Sequence, residues 1–419
     1  MKKVIGMLAV VAFASSMASA ELLKNFKYTG AIEVGAISVD NVDYDNNTDD
    51  QLNGVLSRVT LGANFDLNDD VNAQVTAIKN ARKYGTNPES AINGALDAFN
   101  FEEAYLNLKG VLGMDHKLGR QYYGNAGDLV VYYGPLMMPY DPAFTVNAID
   151  GWTGWWNSGK WTANAIIAKT ICVNGKVDTN VIGLKGGYNL NEKANLGVYV
   201  YQKMVQNTAT VKPFTPNDNL NVGGVKVNGK YVGVEYNVEG AMNFGKNTTV
   251  ATGYAAASKT TKYQGTAVMA NAKYAMTLGG KMNFEGEFAM GSGDKTTTDA
   301  KVQAFATINS DYRLGFIYGG YQNNAGITNL TTWNVGAHWT PTKVNKLTIC
   351  AKFYDLKYTE KVGTVTKIGN EIDFGANWQH SEKTSVALSY GMFTPNRDYS
   401  FPAGKSAETK LGLDFMVKF

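Results

Sequence analysis

The chain has 419 residues, with 39 lysines and arginines against 36 aspartates and glutamates. Because the two signs are nearly balanced, the sequence lacks the basic excess typical of nucleic-acid-binding proteins. The 9 prolines, 45 glycines and 24 tyrosines favour one all-β domain with many turns, since neither a Pro-rich or Ser-rich linker nor a change of composition divides the chain.

The first twenty residues predict a secretion signal. Lys2 and Lys3 precede a short apolar run over residues 4–14, and residues 18–20 form an A-x-A cleavage site. The run is too short for a membrane-spanning helix, and no later segment approaches the roughly 18 apolar residues that such a helix needs. We therefore expect cleavage after Ala20 and a single mature domain over residues 21–419.

An alternation of apolar and polar residues runs through the mature chain in blocks of about ten residues. In the last block Leu411, Leu413 and Phe415 share one face, while Lys410 and Asp414 lie on the other. Twenty blocks match this pattern, among them the weak spans 220–228 and 300–308 and the span 312–321. Short turns alternate with long loops along the chain, which predicts an antiparallel up-and-down barrel of about 18 strands, within a range of 16 to 20.

The polar face of these strands indicates a membrane barrel rather than a soluble one. It carries carboxylates, amides and lysines on nearly every strand, which a packed protein core could not accept but a water-filled lumen can. The apolar face would then contact lipid, with aromatic residues near the strand ends forming interfacial girdles. The candidate girdle residues are Tyr123, Trp155, Trp161, Tyr188, Trp339, Trp378 and Tyr390.

Several motifs, in order along residues 52–419, resemble those of one porin family. Residues 103–109 (EAYLNLK) followed by residues 118–121 (LGRQ) are similar to the EAYLDLK…LGRQ block of the alginate-export porins, and residues 149–152 (IDGW) are similar to their FDG strand. Residues 291–294 (GSGD), 330–343 and 369–373 (GNEID) resemble later blocks of the same family.

The resemblance implies an 18-stranded, monomeric barrel in the outer membrane of a Gram-negative cell. Some members of this family export the polyuronate alginate. The terminal Phe419, on an alternating strand, resembles the general signal by which the barrel-assembly machinery recognises such chains.

Because successive residues of a strand point to opposite faces, the odd or even position of a residue in its strand, here called its parity, predicts which charged side chains line the lumen. The basic candidates are Arg58, Arg82, Arg120, Lys185, Lys203, Lys226, Lys273 and Lys352. The acidic candidates are Glu103, Glu235, Glu239, Glu285, Glu287, Glu371, Asp373 and Asp414. Most of the basic set precedes residue 230 and most of the acidic set follows it. Because sequence order maps around the circumference of a closed barrel, the two sets could face each other across the pore and orient charged solutes. The alternative is that these charges are solvated or paired locally.

Two of these positions carry a more specific expectation. Strict alternation puts Arg120 on the face of Leu118, so we expect a bulge at Gly119 that turns Arg120 inward, or a position near the membrane interface. The loop 125–146 is unusually apolar, which makes it a candidate constriction inside the pore, although packing on the outer surface would explain it equally well. Its candidate residues are Asp128, Tyr132, Tyr133, Tyr140 and Asp141.

Two other features have a simple interpretation and a specific one. The stretch 43–50 is rich in carboxylates and could bind Ca²⁺, but it lacks the glycine and terminal glutamate of a helix-loop-helix calcium site and reads more simply as a solvated loop. Cys172 and Cys350 could form a disulfide after export, but two isolated small apolar residues explain them as well.

Signals of an enzyme are weak. His116, His338 and His380 are far apart, and the sequence contains none of the familiar hydrolase, nucleotide or metal motifs. We therefore expect no reaction and no cofactor. The sequence predicts an outer-membrane channel for passive diffusion of small polar or anionic solutes, with anionic saccharides such as alginate among the candidates. The runner-up is a structural or adhesive barrel whose lumen is plugged by loops.

Overall fold

The computed structural model describes residues 24–79, 100–135, 147–173, 177–191, 193–205, 218–249, 259–296, 298–400 and 406–419. Over these residues the chain forms a closed antiparallel barrel of 18 strands. The strands β1 to β18 are Lys24–Asp40, Leu52–Asp66, Val71–Lys79, Asn100–Val111, Met114–Gln121, Ile149–Ser158, Trp161–Val173, Val177–Asn191, Ala194–Val205, Asp218–Tyr231, Val234–Thr249, Thr266–Thr277, Gly280–Gly291, Leu330–Pro341, Leu347–Val362, Val365–Ser381, Thr384–Pro395 and Glu408–Lys418.

Closure comes from β1, which pairs with strands at both ends of the sequence. Glu33 on β1 lies opposite Arg58 of β2 on one side and opposite Met416 of β18 on the other. Every strand of the barrel therefore has two neighbours, so no backbone edge is left without hydrogen bonds in a lipid environment.

The two faces of the wall differ as the alternation predicts. Val238, Val335 and Phe374 expose about half of their surface on the outer face, with relative exposures of 46%, 51% and 50%. Residues of the opposite parity, such as Asn237 and Glu285, face the lumen, where the register places them opposite Asn271 and Lys273. The apolar outer surface is the one that contacts lipid.

Tight turns close one end of the barrel, while the other end carries the longer connections together with the two-residue turn Gly363-Thr364. Leu112-Gly113 and Val232-Gly233 are two-residue turns in which all four residues have positive φ, between 49° and 82°. This geometry matches the twist of an antiparallel hairpin, and it is strained for leucine and valine. The long connections all lie at the opposite end, which in a barrel of this class is the extracellular end.

Two predicted strands are wrong. The span 312–321 forms no wall strand, and of the span 300–308 only Lys301–Val302 is a short strand, at the extracellular end. The weak span 220–228 is confirmed as part of β10. In the described chain no helix is long and apolar enough to cross a membrane.

Two connections fold into the lumen and bury the largest apolar cluster there. The first inward segment comprises residues 122–135, and the second comprises residues 303–329, which include the short helix Ile317–Tyr321. Leu129, Phe305 and Ile308 are fully or almost fully buried, and they pack with inward-facing wall residues such as Ile166 and Val222. The wall therefore surrounds a partly filled interior.

Candidate functional site

Two carboxylates of β16 hold the second inward segment. The carboxylate of Glu371 accepts hydrogen bonds from the backbone N–H groups of Ile317 and Tyr318, at 2.7 and 2.9 Å. Asp373 accepts one from the N–H of Phe316, at 3.0 Å. Three consecutive N–H groups at the start of the short helix therefore end on wall carboxylates, which is a charge-assisted arrangement.

Other strands anchor the same segment. The side-chain amide of Asn243 on β11 bonds both the N–H and the carbonyl of Ala306, and Lys203 on β9 donates to the carbonyl of Ile308. The hydroxyl of Tyr312 donates to Glu287 on β13, at 2.5 Å. These bonds fix the segment to the inner face of the wall between β9 and β16.

The two inward segments meet each other inside the barrel. Val131 forms a parallel bridge with Asn309, and the hydroxyl of Ser310 donates to the carbonyl of Asp128. Tyr132 and Tyr133 are buried, with relative exposures of 7% and 4%. Of the candidate constriction residues, Asp128, Tyr132 and Tyr133 thus lie on the first inward segment where it meets the second.

Two further candidates, Tyr140 and Asp141, lie outside the described residues.

A cavity of about 720 Å³ remains open beside the meeting point, on the side formed by β7 to β12. Its lining is dominated by amides and lysines. The asparagines are Asn125, Asn189, Asn195, Asn228, Asn237 and Asn271, and the charged residues are Lys185, Lys226, Lys230, Lys273 and Glu235. Three of the four lysines also lie in ion pairs with carboxylates, so the excess positive charge of the lining is centred on Lys185.

Several predicted lumen charges lie in local ion pairs. Arg58 pairs with Glu33 on the neighbouring strand. Lys226 lies 3.6 Å from Asp128 and 3.4 Å from Glu239.

The carboxylate of Glu285 is shared by three groups on neighbouring strands. Lys352 lies 2.8 Å from it, and Lys273 and His338 each lie 3.6 Å away. Glu103 instead accepts a hydrogen bond from Thr76.

Lys185 differs, since none of the described carboxylates lies within 4.0 Å of its ammonium group. Arg82 lies outside the described residues.

These contacts change the expected opposition of two charged arcs. Glu371 and Asp373, with relative exposures of 0% and 3%, are occupied by the second inward segment and do not face open water. Glu287 is likewise bonded to Tyr312 and Asn334. Much of the acidic set therefore anchors protein, while the cationic cavity faces solvent.

Arg120 lies on the outer face, so its assignment to the lumen is corrected. The register runs without a shift from Leu106 opposite Leu118 to Ala104 opposite Arg120, and the expected bulge at Gly119 is absent. Arg120 pairs instead with Asp150 of β6, at 3.1 Å, near the extracellular end of the wall. The ion pair compensates a charge that would be costly at the centre of the membrane.

A bulge does occur one strand earlier and was not predicted. The register of β3 and β4 shifts between Thr76 and Ala77, so that Glu102 is an extra residue beside Glu103. Glu102 is almost fully buried and accepts a hydrogen bond from Tyr122 of the first inward segment. Strict alternation puts Glu102 on the lipid face, so parity alone could not have found it.

Two further lumen cations were missed although parity could have found them. Lys117 on β5 lies over the rings of Tyr105 and Trp155, with its ammonium nitrogen 4.7 and 5.2 Å from the ring centroids. Lys230 lines the cavity at the end of β10. Lysines near strand ends were overlooked because their strand boundaries were uncertain in the sequence.

Two aromatic residues assigned to the interfacial girdles also face inward. Tyr123 is buried and its hydroxyl bonds Asn164 and Tyr201, and Trp155 packs on Lys117. Trp161, Trp339 and others of the predicted set remain exposed on the outer face.

The remaining candidate sites are local features. In the loop 43–50, Asp50 accepts hydrogen bonds from the backbone of Asn41 and Asp43, and the hydrogen bond from Thr48 lowers the pKa of Asp43. Among the described residues no group of His, Cys, Asp and Glu side chains is arranged to hold a metal ion. Cys350 is a free thiol, and the side chain of Cys172 lies outside the described part.

Comparisons with known proteins agree with this architecture. The family model for alginate export matches residues 36–407. Among solved structures, Pseudomonas aeruginosa OccK3 (OpdO) aligns with a TM-score of 0.60 at 10% identity, covering 97% of this chain and 98% of that one. No curated protein sequence matches the chain.

Two further Pseudomonas aeruginosa structures are similar. OccK8 (OprE) has a TM-score of 0.60 at 12% identity, and OccK2 (OpdF), solved in complex with glucuronate, has 0.58 at 11%; each alignment covers 94% of this chain and 98% of the other. Such identities speak for the fold alone, which is that of outer-membrane porins. Because the family match spans most of its length, the protein belongs to the alginate export family.

Proposed function

We propose that this barrel is a passive outer-membrane channel for small polar solutes and that it favours anionic sugars of the uronate class. The observation that carries the proposal is the lumen cavity of about 720 Å³ lined by four lysines and six asparagines. Lysine ammonium groups attract a carboxylate, while asparagine amides can both donate to and accept from sugar hydroxyls.

The charge balance of the cavity supports a preference for anions. Lys185 has no carboxylate within 4.0 Å among the described residues, and Lys230 and Glu235 are both more than half exposed. Exposed pairs of this kind exchange partners at little cost, because their net interaction is worth only about 0–1 kcal/mol. A uronate can therefore replace protein carboxylates as a partner of these lysines.

The inward segments favour short solutes over a long polymer. They meet inside the lumen, and the cationic lining is confined to one side of the barrel instead of forming a continuous track. The family match to alginate export and the glucuronate complex of the structurally similar OccK2 point to uronates as the chemical class. We propose monouronates or short oligouronates as the solutes.

The test is ion selectivity in planar bilayers. Lys185→Gln combined with Lys230→Gln removes two cavity charges, and we expect the reversal potential in a salt gradient to shift toward cation selectivity. Added glucuronate should reduce the current of the unchanged protein more than that of the double variant. The matched control is Lys346→Gln with Lys383→Gln, which removes two charges at the periplasmic turns.

Equal selectivity and equal glucuronate block in the wild type and the cavity variant would contradict the proposal. A specific observation, the pair of inward segments, also supports a second candidate, a barrel plugged for a structural or adhesive role. A complete lack of conductance steps in a folded, inserted protein would favour that candidate.

We further propose that the mature protein begins at Glu21, acts as a monomer and is recognised by the barrel-assembly machinery through the strand that ends at Phe419. The outer face of β18 supports that recognition, since it exposes the apolar side chains of Leu411, Phe415 and Val417.

A further inference from the structure

Three lysines lie directly opposite one another at the extracellular end of the barrel. Lys246 is near the end of β11, Lys262 belongs to the short strand Lys259–Tyr263 that precedes β12, and Lys301 belongs to the short strand Lys301–Val302. The pairing register sets Lys246 opposite Lys262 and Lys262 opposite Lys301. We call these three residues the lysine row.

The lysine row is on the outer face of the wall. Residues that lie directly opposite each other across a strand pair share a face, and Lys246 has the parity of Met242 and Phe244, which are exposed to lipid by 57% and 44%. Tyr263, which follows Lys262 in the same strand, faces the lumen, where its hydroxyl donates a hydrogen bond to Asp218. The row is therefore the polar upper edge of the lipid-facing band.

Among the described residues, the lysine row also lacks a compensating charge. All three lysines are exposed, and within the described part of the chain no carboxylate lies within 4.0 Å of their ammonium groups. Asp299 is near in sequence, but its carboxylate accepts the backbone N–H of Lys301. Like charges placed directly opposite one another destabilise a strand pair, and a shared anion would remove that repulsion.

We propose that the lysine row binds the phosphate groups of a phosphorylated glycolipid in the outer leaflet. Ammonium groups are compact charges suited to phosphate, and basic residues at the headgroup level attract anionic lipids. The apolar band directly below the row, with Phe244 and Met242, would contact the acyl chains of the same molecule. The positive charge and the apolar band are adjacent on the same outer face. This arrangement fits an amphiphilic lipid better than a free phosphate ion, which would not use the apolar band.

Lipid binding to the purified barrel in a neutral detergent tests this inference. The probe is bisphosphorylated lipid A, compared with lipid A from which both phosphates have been removed. With roughly a fivefold contribution from each of the three lysines, we expect Lys246→Gln/Lys262→Gln/Lys301→Gln to bind the phosphorylated lipid about a hundredfold more weakly. The control triple variant changes Lys109, Lys281 and Lys383 to Gln at the opposite rim, and it should bind like the wild type.

Thermal unfolding provides a second measurement that does not depend on channel activity. Without lipid, the lysine-row variant should be as stable as the wild type or more stable, because charge repulsion is removed; with phosphorylated lipid, only the wild type and the rim control should gain stability. Equal binding of both lipids by the wild type, or unchanged binding by the lysine-row variant, would overturn the inference. Loss of conductance would leave both results unaffected, so the test is separate from that of the proposed function.

Discussion

At the scale of single residues, the lumen carboxylates do two different things. Glu371 and Asp373 hold three backbone N–H groups of the second inward segment, whereas Glu235 is exposed in the cavity. Both kinds of residue have the same parity and the same chemistry in the sequence. Only the path of a segment more than fifty residues away distinguishes a structural anchor from a residue that meets solute.

The anchoring role predicts a local effect of Glu371→Gln. A neutral amide replaces a charge-assisted acceptor, each such bond being worth about 1.5–3 kcal/mol, so the start of the short helix should open more often. Hydrogen exchange of residues 316–318 should accelerate by roughly tenfold or more, while exchange in β11 stays constant. Glu382→Gln, in an exposed turn, is the control. Unchanged exchange at these amides would show that Glu371 does not hold the segment.

At the scale of elements, the second inward segment is the main departure from the predicted barrel. Its alternating apolar and polar residues resemble strands, but Phe305, Ile308 and Ile317 are buried against the interior instead of lipid. An alternating hydrophobic pattern indicates that the apolar side chains are shielded from water, but it does not distinguish lipid from a protein interior. Gly315, Gly319 and Gly320 were the available signal against a strand over the span 312–321.

Removing the segment should widen the pore. Met290 of β13 lies opposite Thr331 of β14, so a short glycine-serine turn can replace residues 303–328 without changing the register. We expect the single-channel conductance to rise severalfold, because an obstruction of the lumen is gone. Folding is checked by the electrophoretic mobility of the unheated barrel. A folded variant with the wild-type conductance would contradict the constriction.

At the scale of the whole molecule, the closed wall separates a lipid-facing surface from an aqueous one. Val238 and Asn237 are neighbours on β11, yet the first is exposed on the outer face and the second lines the cavity. The barrel therefore predicts that the more exposed Val238 tolerates a charge less well than Asn237, which is the reverse of the order expected in a soluble two-layer fold.

A pair of substitutions measures this difference. Val238→Arg should destabilise the barrel in lipid by about 2–4 kcal/mol, since it places a cation in the hydrocarbon region. Asn237→Arg, whose side chain reaches water, should cost less than about 1 kcal/mol. The free energy of unfolding in urea from phospholipid vesicles gives both values. Equal costs at the two positions would contradict the assignment of the faces.

The sequence by itself determined the class of fold, the approximate number of strands and the outward and inward faces of most of them. Local alternation carries that information, because a strand in contact with lipid on one side and water on the other must place each residue type accordingly. The family match and the 18 closed strands confirm the class of fold and the approximate number of strands.

Only the tertiary structure decided which lumen residues remain free. The inward path of residues 303–329, the bulge at Glu102 and the outward Arg120 depend on contacts between positions far apart in the chain. Parity is a local rule with a period of two, and it cannot state what occupies the space toward which a side chain points. For that physical reason the cationic cavity and the lysine row emerged from the assembled barrel and not from any single strand.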